Sequence, residues 1–332
     1  MHFATVRHVA DVLDVRAVHA QSPDMAERAL HRIPARPAET GYVTGVIMVA
    51  MAGVCWSLMP LGIRMIESGT VWQVLFYRSL GMLPMIFALM AWRSGGRPFK
   101  LILNAGVPGV MGGLALVMAY AGGIGAIQLT SVANAAFLFA TSPFIAALLS
   151  FLLLGESVRK ATWIAMLIGL AAIGFMVADS FTTGNWTGDA IALMSAFGFA
   201  LFTVALRWGK AGDMLPVIFL GGVFALELSG IVLWGTGQGF ALPVKEIAIA
   251  LFLGFVALGL GMVLYTFGSR VVPGAELALL AMTEVVLGPI WVWLLLGETA
   301  KTATLIGGTI LMAAIAFNAM SGLRRKPPPL TF

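Results

Sequence analysis

Long apolar stretches alternate with short polar breaks along almost the whole chain from Gly41 onward. A helix needs about 20 residues to cross the hydrocarbon core of a bilayer. Ten stretches have this length, and the breaks between them are rich in glycine and charged residues, as turns are. The predicted spans are 43–65, 71–92, 102–124, 130–154, 161–179, 188–208, 214–235, 246–268, 274–296 and 302–321. The pattern predicts an all-α integral membrane protein with ten transmembrane helices.

The composition supports lipid as the solvent of these helices. The chain has 332 residues, of which 60% are hydrophobic and 11% charged, and its mean hydropathy is +0.96. A soluble domain has roughly 25% charged residues. So much apolar surface cannot be hidden inside a single soluble globule of this size.

The basic residues of the breaks predict the orientation of the chain. Cytoplasmic loops of membrane proteins carry an excess of Lys and Arg. With the N-terminus inside, eleven basic residues fall in cytoplasmic segments and three, namely Arg64, Lys245 and Lys301, fall outside. The distribution predicts a multi-pass membrane protein with both termini cytoplasmic. Residues 1–40 and 322–332 contain no apolar run of membrane length and are predicted to be cytoplasmic tails, the first of them disordered.

Two six-residue stretches show that the chain repeats itself. LLLGES occupies Leu152–Ser157 and LLLGET occupies Leu294–Thr299, 142 positions later. Each ends the fourth span of a group of five, so the predicted repeats are 41–180 and 181–321. Because five is odd, the second group crosses the membrane in the opposite sense. Inverted repeats are common in carriers that expose a central site to each side in turn.

The repeated motif itself has two interpretations. Glycine commonly ends a helix, and an acidic residue followed by Ser or Thr suits the start of the next one. The motif can therefore be a tight hairpin between the last two helices of each repeat. The alternative is a role in gating, because Glu156 is predicted to face the cytoplasm and Glu298 the outside.

These features resemble the drug/metabolite transporter superfamily, EamA type, over about residues 42–321. The resemblance rests on Trp56-Ser57, on Phe76-Tyr77-Arg78, and on a proline followed by Leu-Gly-Glu in each half, at Pro143 with Glu156 and at Pro289 with Glu298. It implies a basket of ten helices in which spans one to four and six to nine line a cavity. Spans five and ten would brace the outside. Within the superfamily the chain resembles bacterial amino-acid exporters of the YddG type, and this resemblance implies a location in the bacterial inner membrane.

Arg78 is the first candidate for a substrate contact. It is predicted about 10 Å inside the second span by helical rise, and charges at such depth are costly unless they are paired or hydrated. A guanidinium can hold a carboxylate through two parallel hydrogen bonds, as an amino-acid substrate would require. The alternative is a structural or snorkelling arginine that is paired with Glu67 or with backbone carbonyls.

Two glutamates are predicted near the middle of later spans, Glu284 in the ninth and Glu227 in the seventh. Burial disfavours the charged form of a carboxyl group. Either residue could therefore bind a substrate ammonium or exchange a proton during transport. Glu284 follows Thr283, which matches Thr141 of the first repeat. Glu227 could instead be a neutral structural acid.

Polar, aromatic and kink-forming residues complete the candidate site. Asn134 and Thr141 are seven positions apart and would share one face of a continuous helix. Prolines within spans favour kinks, and Pro143 and Pro289 are the predicted hinges. The aromatic residues could instead serve packing or the membrane interface. The predicted substrate-binding residues are Arg78, Tyr77, Trp56, Tyr120, Asn134, Thr141, Tyr265 and Glu284.

The chain is predicted to be a secondary transporter that exports small metabolites, with amino acids of aromatic or other apolar side chain as the expected substrates. The alternatives are export of another class such as nucleosides or toxic cations and, more remotely, a membrane-embedded lipid-modifying enzyme or a channel. All four histidines lie within the first 31 residues, and no Gly-rich nucleotide loop is present. We therefore expect no enzyme activity, metal or cofactor, and the basic residues of the loops need no nucleic-acid partner. Ten spans can enclose a site without a second copy, so we expect a monomer in the bilayer.

Overall fold

The computed structural model describes residues 39–182, 186–210, 213–272 and 274–323, which contain helices and no strand. The described residues from Gly45 onward belong to one compact unit. The predicted tail 1–40, except for its last two residues, lies outside the described residues, as do positions 324–332 of the predicted C-terminal tail. The helices are α1 Glu39–Arg64, α2 Val71–Arg93, α3 Pro98–Asn104, α4 Gly106–Leu129, α5 Val132–Phe139, α6 Ser142–Leu154, α7 Lys160–Thr182, α8 Trp186–Trp208, α9 Leu215–Gly235, α10 Val244–Phe252, a π-helical segment Leu253–Leu260, α11 Gly261–Gly268, α12 Gly274–Leu296 and α13 Thr302–Leu323.

The predicted class of fold is confirmed. Among the described residues, nine helical segments are long and apolar enough to cross a membrane, and a further apolar helix, Met282–Leu296, lies within α12. Many large apolar side chains point outward, for example Leu167 and Leu170 of α7. These exposed side chains fit a lipid environment, where apolar surface needs no further burial.

The two repeated Gly-Glu pairs end their helices in the same way. Gly155 follows α6 with φ +68°, and Gly297 follows α12 with φ +70°. A side chain added at either glycine would meet no atom within 4 Å. Glycine is therefore required by the left-handed backbone rather than by crowding. The helix-ending part of the hairpin interpretation is confirmed in both repeats.

The third span begins later than predicted. The sequence predicted a helix over 102–124, whereas α4 covers Gly106–Leu129 and the separate helix α3 precedes it. Gly106 has φ +54°, and this left-handed residue interrupts the apolar run. An apolar run alone could not locate this break.

The fourth span is also interrupted, which corrects the expectation that Asn134 and Thr141 share a face of one helix. α5 ends at Phe139 and α6 begins at Ser142. The Thr141 hydroxyl donates to the Leu138 carbonyl at 2.7 Å, and Pro143 lies in the first turn of α6. Proline lacks the N–H that would have continued the helix, but it suits a helix start.

The most extensive packing joins the two halves of the chain to each other. α4 packs on α8, α9 packs on α2 and α4, the π-helical segment packs on α2, and α13 packs on α7. Small residues bring some of these backbones close together. A methyl group at Gly198 of α8 would lie 2.7 Å from the backbone nitrogen of Ala119 in α4, and the Ser195 hydroxyl donates to the Ala119 carbonyl at 2.7 Å. Close contact between small residues is a usual way for helices to associate in lipid.

Candidate functional site

Arg78 lies in the interior of the helix bundle. Only 4% of the residue is exposed, and its Cζ lies 4.6 Å from the centre of the Tyr120 ring on α4. The π-helical segment holds α2 in place here, because a methyl group at Gly254 would lie 1.9 Å from the Arg78 carbonyl oxygen. A residue with a side chain at position 254 would force these two elements apart.

The guanidinium of Arg78 keeps unused hydrogen-bonding capacity. Its Nε and Nη2 atoms are buried and have no hydrogen-bond partner. The pairing with Glu67 that the sequence allowed is not present in the described residues; the contact with the Tyr120 ring takes its place. A buried cation over an aromatic ring, with two free donors, suits a carboxylate ligand.

Tyr77 contributes to the same region but uses its own hydroxyl elsewhere. The hydroxyl donates to the carbonyl of Phe240 at 2.8 Å. The rings of Tyr77 and Tyr120 both pack against an apolar cluster that includes Ile63 and Leu75. Tyr77 therefore ties α2 to the loop before α10 while it lies beside Arg78.

Trp56 and Tyr265 form a second aromatic group. Their ring centres are 5.4 Å apart, and a methyl group at Gly261 would lie 2.5 Å from the indole nitrogen of Trp56. This group joins α1 to α11. It supplies an aromatic surface that is distinct from the ring stacked on Arg78.

The two candidate glutamates have different surroundings. Glu284 is partly buried on α12, next to Thr283, which packs on α1 at Gly53. The expected burial of Glu227 is wrong: this residue is exposed. It shares the outward face of α9 with Ile231 and Trp234, which are 69% and 82% exposed. α9 is apolar all around, so its sequence gave no amphipathic signal to show which face turns inward.

Asn134 is part of a buried polar network that the sequence analysis missed. Its Nδ2 donates to the Asp189 carboxylate of α8, and the Thr130 hydroxyl donates to the same oxygen at 3.1 Å. The Thr304 hydroxyl of α13 donates to Asn134 Oδ1 at 3.3 Å. Asp189 has no exposed surface, and its Oδ2 atom has no partner. The signal in the sequence was an acidic residue, Asp189, at the second position of the predicted sixth span.

Thr130 connects this network to an ion pair. Its carbonyl accepts a hydrogen bond from Arg64 Nη2 at 2.7 Å, and Arg64 Nε lies 2.9 Å from Glu298 Oε2. The other oxygen of Glu298 accepts the Val132 N–H at 2.7 Å. Glu298 therefore bonds to the end of the first helix and to the beginning of the fifth. We call Arg64, Thr130, Asp189 and Glu298 the Glu298 face.

A polar cavity of about 430 Å³ adjoins the Glu298 face. Arg64, Thr130 and Asn134 line it, together with Thr304 and Glu298. A second cavity, of about 500 Å³, begins at Glu298 and runs between apolar residues of α5, α12 and α13 such as Phe137, Pro289 and Met312.

The other repeated glutamate makes the corresponding pair. Glu156 binds the guanidinium of Arg207 at the end of α8, and about half of each side chain is exposed. We call these two residues the Glu156 face. Arg207 and Asp189 are 18 positions apart on α8, which is about 27 Å at the rise of an α-helix. The two faces therefore lie at opposite ends of the bundle, about one bilayer core apart.

The two ion pairs follow the internal repeat and cross it. Glu156 and Glu298 are 142 positions apart, and Arg64 and Arg207 are 143 positions apart. Each glutamate belongs to one half of the chain, and its arginine ends the first helix of the other half. The sequence showed the glutamates as repeats, but it did not show that their partners would be exchanged.

The two predicted hinge prolines lie in different settings. Pro143 begins α6 after the break at Ala140–Thr141, whereas Pro289 lies inside the continuous helix α12 and lines the larger cavity. A moving hinge is a prediction for both. Only Pro143 lies at an existing interruption of its span.

Comparisons with known proteins identify the family of the chain. The model of the EamA-like transporter family matches residues 43–178 and again residues 186–320. The pseudopaline exporter CntI of Pseudomonas aeruginosa is 28% identical over 82% of this chain and 94% of its own length. The protein RarD of Streptomyces exfoliatus is 27% identical over 61% of this chain and 64% of its own length. A solved crystal structure shares the fold at a TM-score of 0.58, with 18% identity over 85% of this chain and 99% of the other. The chain is a multi-pass membrane protein of the EamA-like transporter family, within the drug/metabolite transporter superfamily.

Proposed function

We propose that this transporter exports amino acids with apolar or aromatic side chains across the bacterial inner membrane by alternating access. The observation that carries the proposal is the buried guanidinium of Arg78, which has two unused donors and lies over Tyr120. A buried charge without a counter-ion costs several kcal/mol. A substrate carboxylate would provide the missing counter-ion and fill both donors at once.

The surroundings of Arg78 favour an amino acid with an apolar side chain. The guanidinium borders an apolar cluster that contains Ile63 and Leu75, with Tyr77 and Tyr120 packed against it. A carboxylate held at Arg78 would leave the rest of a small substrate against apolar and aromatic groups. We assign Glu284, a partly buried carboxylate near the middle of α12, to the substrate ammonium.

The charge of the site also argues against toxic cations, the alternative substrate class. An unpaired buried cation repels a positively charged substrate in a medium of low dielectric constant. The CntI relative is named as a pseudopaline exporter, and this supports export of a small metabolite. The choice of amino acids rests on Arg78 and not on that relative.

Alternating access is supported by the two crossed ion pairs. Arg64–Glu298 joins the halves at one face and Arg207–Glu156 joins them at the other. Opening either face requires that its pair separate, since each pair has one partner in each half. We propose that the Glu298 face is external and that both termini are cytoplasmic, in agreement with the excess of basic residues in the predicted inner segments.

The test is counterflow of labelled L-phenylalanine into liposomes that contain the purified protein and unlabelled L-phenylalanine. We expect saturable uptake by the wild type. Arg78→Gln should reduce uptake about 10- to 100-fold, because hydrogen bonds to charged groups contribute about 1.5–3 kcal/mol. Arg78→Lys, which keeps the charge but loses the planar pair of donors, should fall between the two.

Arg97→Lys is the matched control, because Arg97 is exposed in the loop before α3 and should transport like the wild type. L-phenylalaninol, which lacks the carboxylate, should not compete with the labelled substrate. Equal competition by the alcohol, or unchanged uptake by Arg78→Gln, would refute the assigned role of Arg78. If a panel of amino acids shows no counterflow while nucleosides do, the substrate class is wrong.

A further inference from the structure

We infer that the Glu298 face binds one phospholipid with an anionic headgroup, which places the headgroup in the polar cavity and one acyl chain in the apolar cavity beside it. The inference goes beyond the proposed function, because it involves neither Arg78 nor the transported substrate. The observation that carries it is a pair of adjoining cavities of opposite character, of about 430 and 500 Å³, that are both lined by Glu298. A ligand that fills both needs a polar end and a long apolar end.

The two cavities adjoin along the first turns of α5 and α13. On α5, Asn134 lines the polar cavity and its neighbour Ala133 lines the apolar one. On α13, Thr304 lines the polar cavity and its neighbour Leu305 lines the apolar one. Consecutive side chains of a helix project in different directions, so each helix separates the two spaces, while Glu298 borders both. The headgroup and the chain of a single molecule require this arrangement.

The apolar cavity is a groove that opens towards the membrane. Its floor includes the buried Ala133 of α5, whereas Val286, Trp293 and Leu305 on its sides are each about half exposed. On α13 the lining runs from Leu305 to Met312, which is about 10 Å at the rise of an α-helix and about a third of the hydrocarbon core of a bilayer. An acyl chain can therefore enter sideways from the bilayer, while the second chain of the same lipid remains in the bulk membrane.

The lining of the polar cavity contains two basic residues and one acidic residue. Arg64 and Lys301 lie there with Glu298, and both are among the three basic residues that the sequence predicts on the external side, where Lys and Arg are ordinarily few. The third, Lys245, is exposed at the beginning of α10. Asp189 has no exposed surface and lies outside this lining. Arg and Lys side chains are the usual ligands of phosphate groups, so the lining favours an anionic lipid headgroup.

Two helices begin at the polar cavity. Ser131, the residue before α5, lines it, and so does Lys301, the residue before α13. The N-terminus of a helix carries a partial positive charge that favours phosphate, and this charge adds to those of Arg64 and Lys301. Arg64 belongs to the first half of the chain and Lys301 to the second, so a headgroup bound to both would join the two halves at this face.

Photo-cross-linking in nanodiscs tests the site without any substrate, so its result is independent of the proposed function. The nanodiscs consist of phosphatidylcholine with a trace of phosphatidylglycerol that carries a diazirine in the middle of one acyl chain. After illumination, mass spectrometry locates the cross-links. We expect them to concentrate on the groove residues of α5, α12 and α13, with fewer on Leu167 and Leu170 of α7, which are exposed outside the groove. Equal cross-linking of the two places would show bulk lipid only and would overturn the inference.

The headgroup is tested by a second tracer, phosphatidylcholine with the same labelled chain. A basic residue near a membrane surface strengthens the binding of an anionic lipid about fivefold. The ratio of cross-links in the groove to cross-links on α7 should therefore be at least about fivefold higher for phosphatidylglycerol than for phosphatidylcholine. Lys301→Gln should reduce this preference about fivefold, and the matched control Lys245→Gln should leave it unchanged. Equal ratios for the two lipids, or an unchanged preference in Lys301→Gln, would refute the anionic headgroup.

The acyl chain is tested by filling the groove. Thr309 lines the groove between Leu305 and Met312, and Thr309→Trp should remove the cross-links there while those on α7 remain. Leu170→Trp adds the same side chain at an exposed position outside the groove, so this matched control should keep the groove cross-links. Persistence of these cross-links in Thr309→Trp would contradict the site. The comparison of the two tracers uses wild-type protein alone, so it decides the question even if a variant misfolds.

Soluble glycerol phosphate separates a lipid from a free anion. It shares the phosphate of the headgroup but lacks acyl chains, so it should leave the groove cross-links unchanged even in large excess over the lipid. Loss of the phosphatidylglycerol cross-links in its presence would show that the polar cavity binds a free phosphate, and the lipid assignment would then be wrong.

Discussion

The Glu298 face and the Glu156 face contain the same ion pair in different surroundings. At the first, about a quarter of each side chain is exposed, and the pair is supported by Thr130 and by the Val132 amide. At the second, about half of each side chain is exposed. Arg64 and Arg207 are 143 positions apart, and the residue 143 positions before Asp189 is Val46, an apolar side chain. The repeat thus places an arginine–glutamate pair at both faces, whereas the fully buried carboxylate of Asp189 has an apolar residue as its counterpart.

The Arg64–Glu298 pair is therefore held more firmly than the Arg207–Glu156 pair. An ion pair whose two partners are both exposed contributes about 0–1 kcal/mol to the free energy of unfolding. Buried hydrogen bonds to charged groups contribute more. We expect the Glu298 face to be the more firmly closed of the two. Variants that weaken, exchange or equalise the two pairs test this comparison.

Reversal of charge at Arg64 should have the largest effect. In Arg64→Glu, two carboxylates face each other where an ion pair was, so the Glu298 face should open. A cysteine at Thr299 should then react at least about tenfold faster with a membrane-impermeant maleimide, which corresponds to a shift of about 1.4 kcal/mol. The native Cys55 is buried and should add little background.

The double variant Arg64→Glu, Glu298→Arg restores opposite charges and should return labelling towards the wild-type rate. Labelling of intact cells also tests the orientation. Thr299→Cys should react from outside, whereas Ser157→Cys, next to Glu156, should react only after the membrane is permeabilised. The reverse pattern would place the Glu298 face in the cytoplasm.

Neutralisation of one glutamate at a time should have a smaller and unequal effect. Glu298→Gln removes an ion pair from a partly buried site and should lower stability by about 1–3 kcal/mol. Glu156→Gln should lower it by about 0–1 kcal/mol. Thermal unfolding of the two variants in the same detergent measures the difference, and equal shifts of the midpoint would contradict the proposed asymmetry.

The glycines before the two glutamates should give the smallest difference between the faces. Gly155→Ala and Gly297→Ala each force a side chain into a left-handed conformation, at a cost of about 1–2 kcal/mol. Since both positions have open space around them, the two costs should be equal. Unequal unfolding midpoints would show that the two turns are not equivalent.

The sequence could predict the repeat because its signals are local. The Gly-Glu pairs, the apolar lengths and the depth of Arg78 are each visible within one span. The Arg64–Glu298 pair joins residues 234 positions apart in opposite halves, so no local pattern contains it. Asp189 escaped notice because it lies near a predicted boundary, where an acidic residue ordinarily faces water. Glu227 was placed in the interior because an apolar membrane helix has no polar side to contrast with a buried one.

Because each arginine pairs with the glutamate of the other half, neither half can form either ion pair alone. A chain of half this length would require only one such arginine and one such glutamate. Two copies inserted in opposite directions would then form both bonds, one at each surface of the membrane. Two identical copies must carry the same residues at both membrane surfaces. In a single chain the two halves can differ, so each surface can change independently, as the difference between Asp189 and Val46 illustrates.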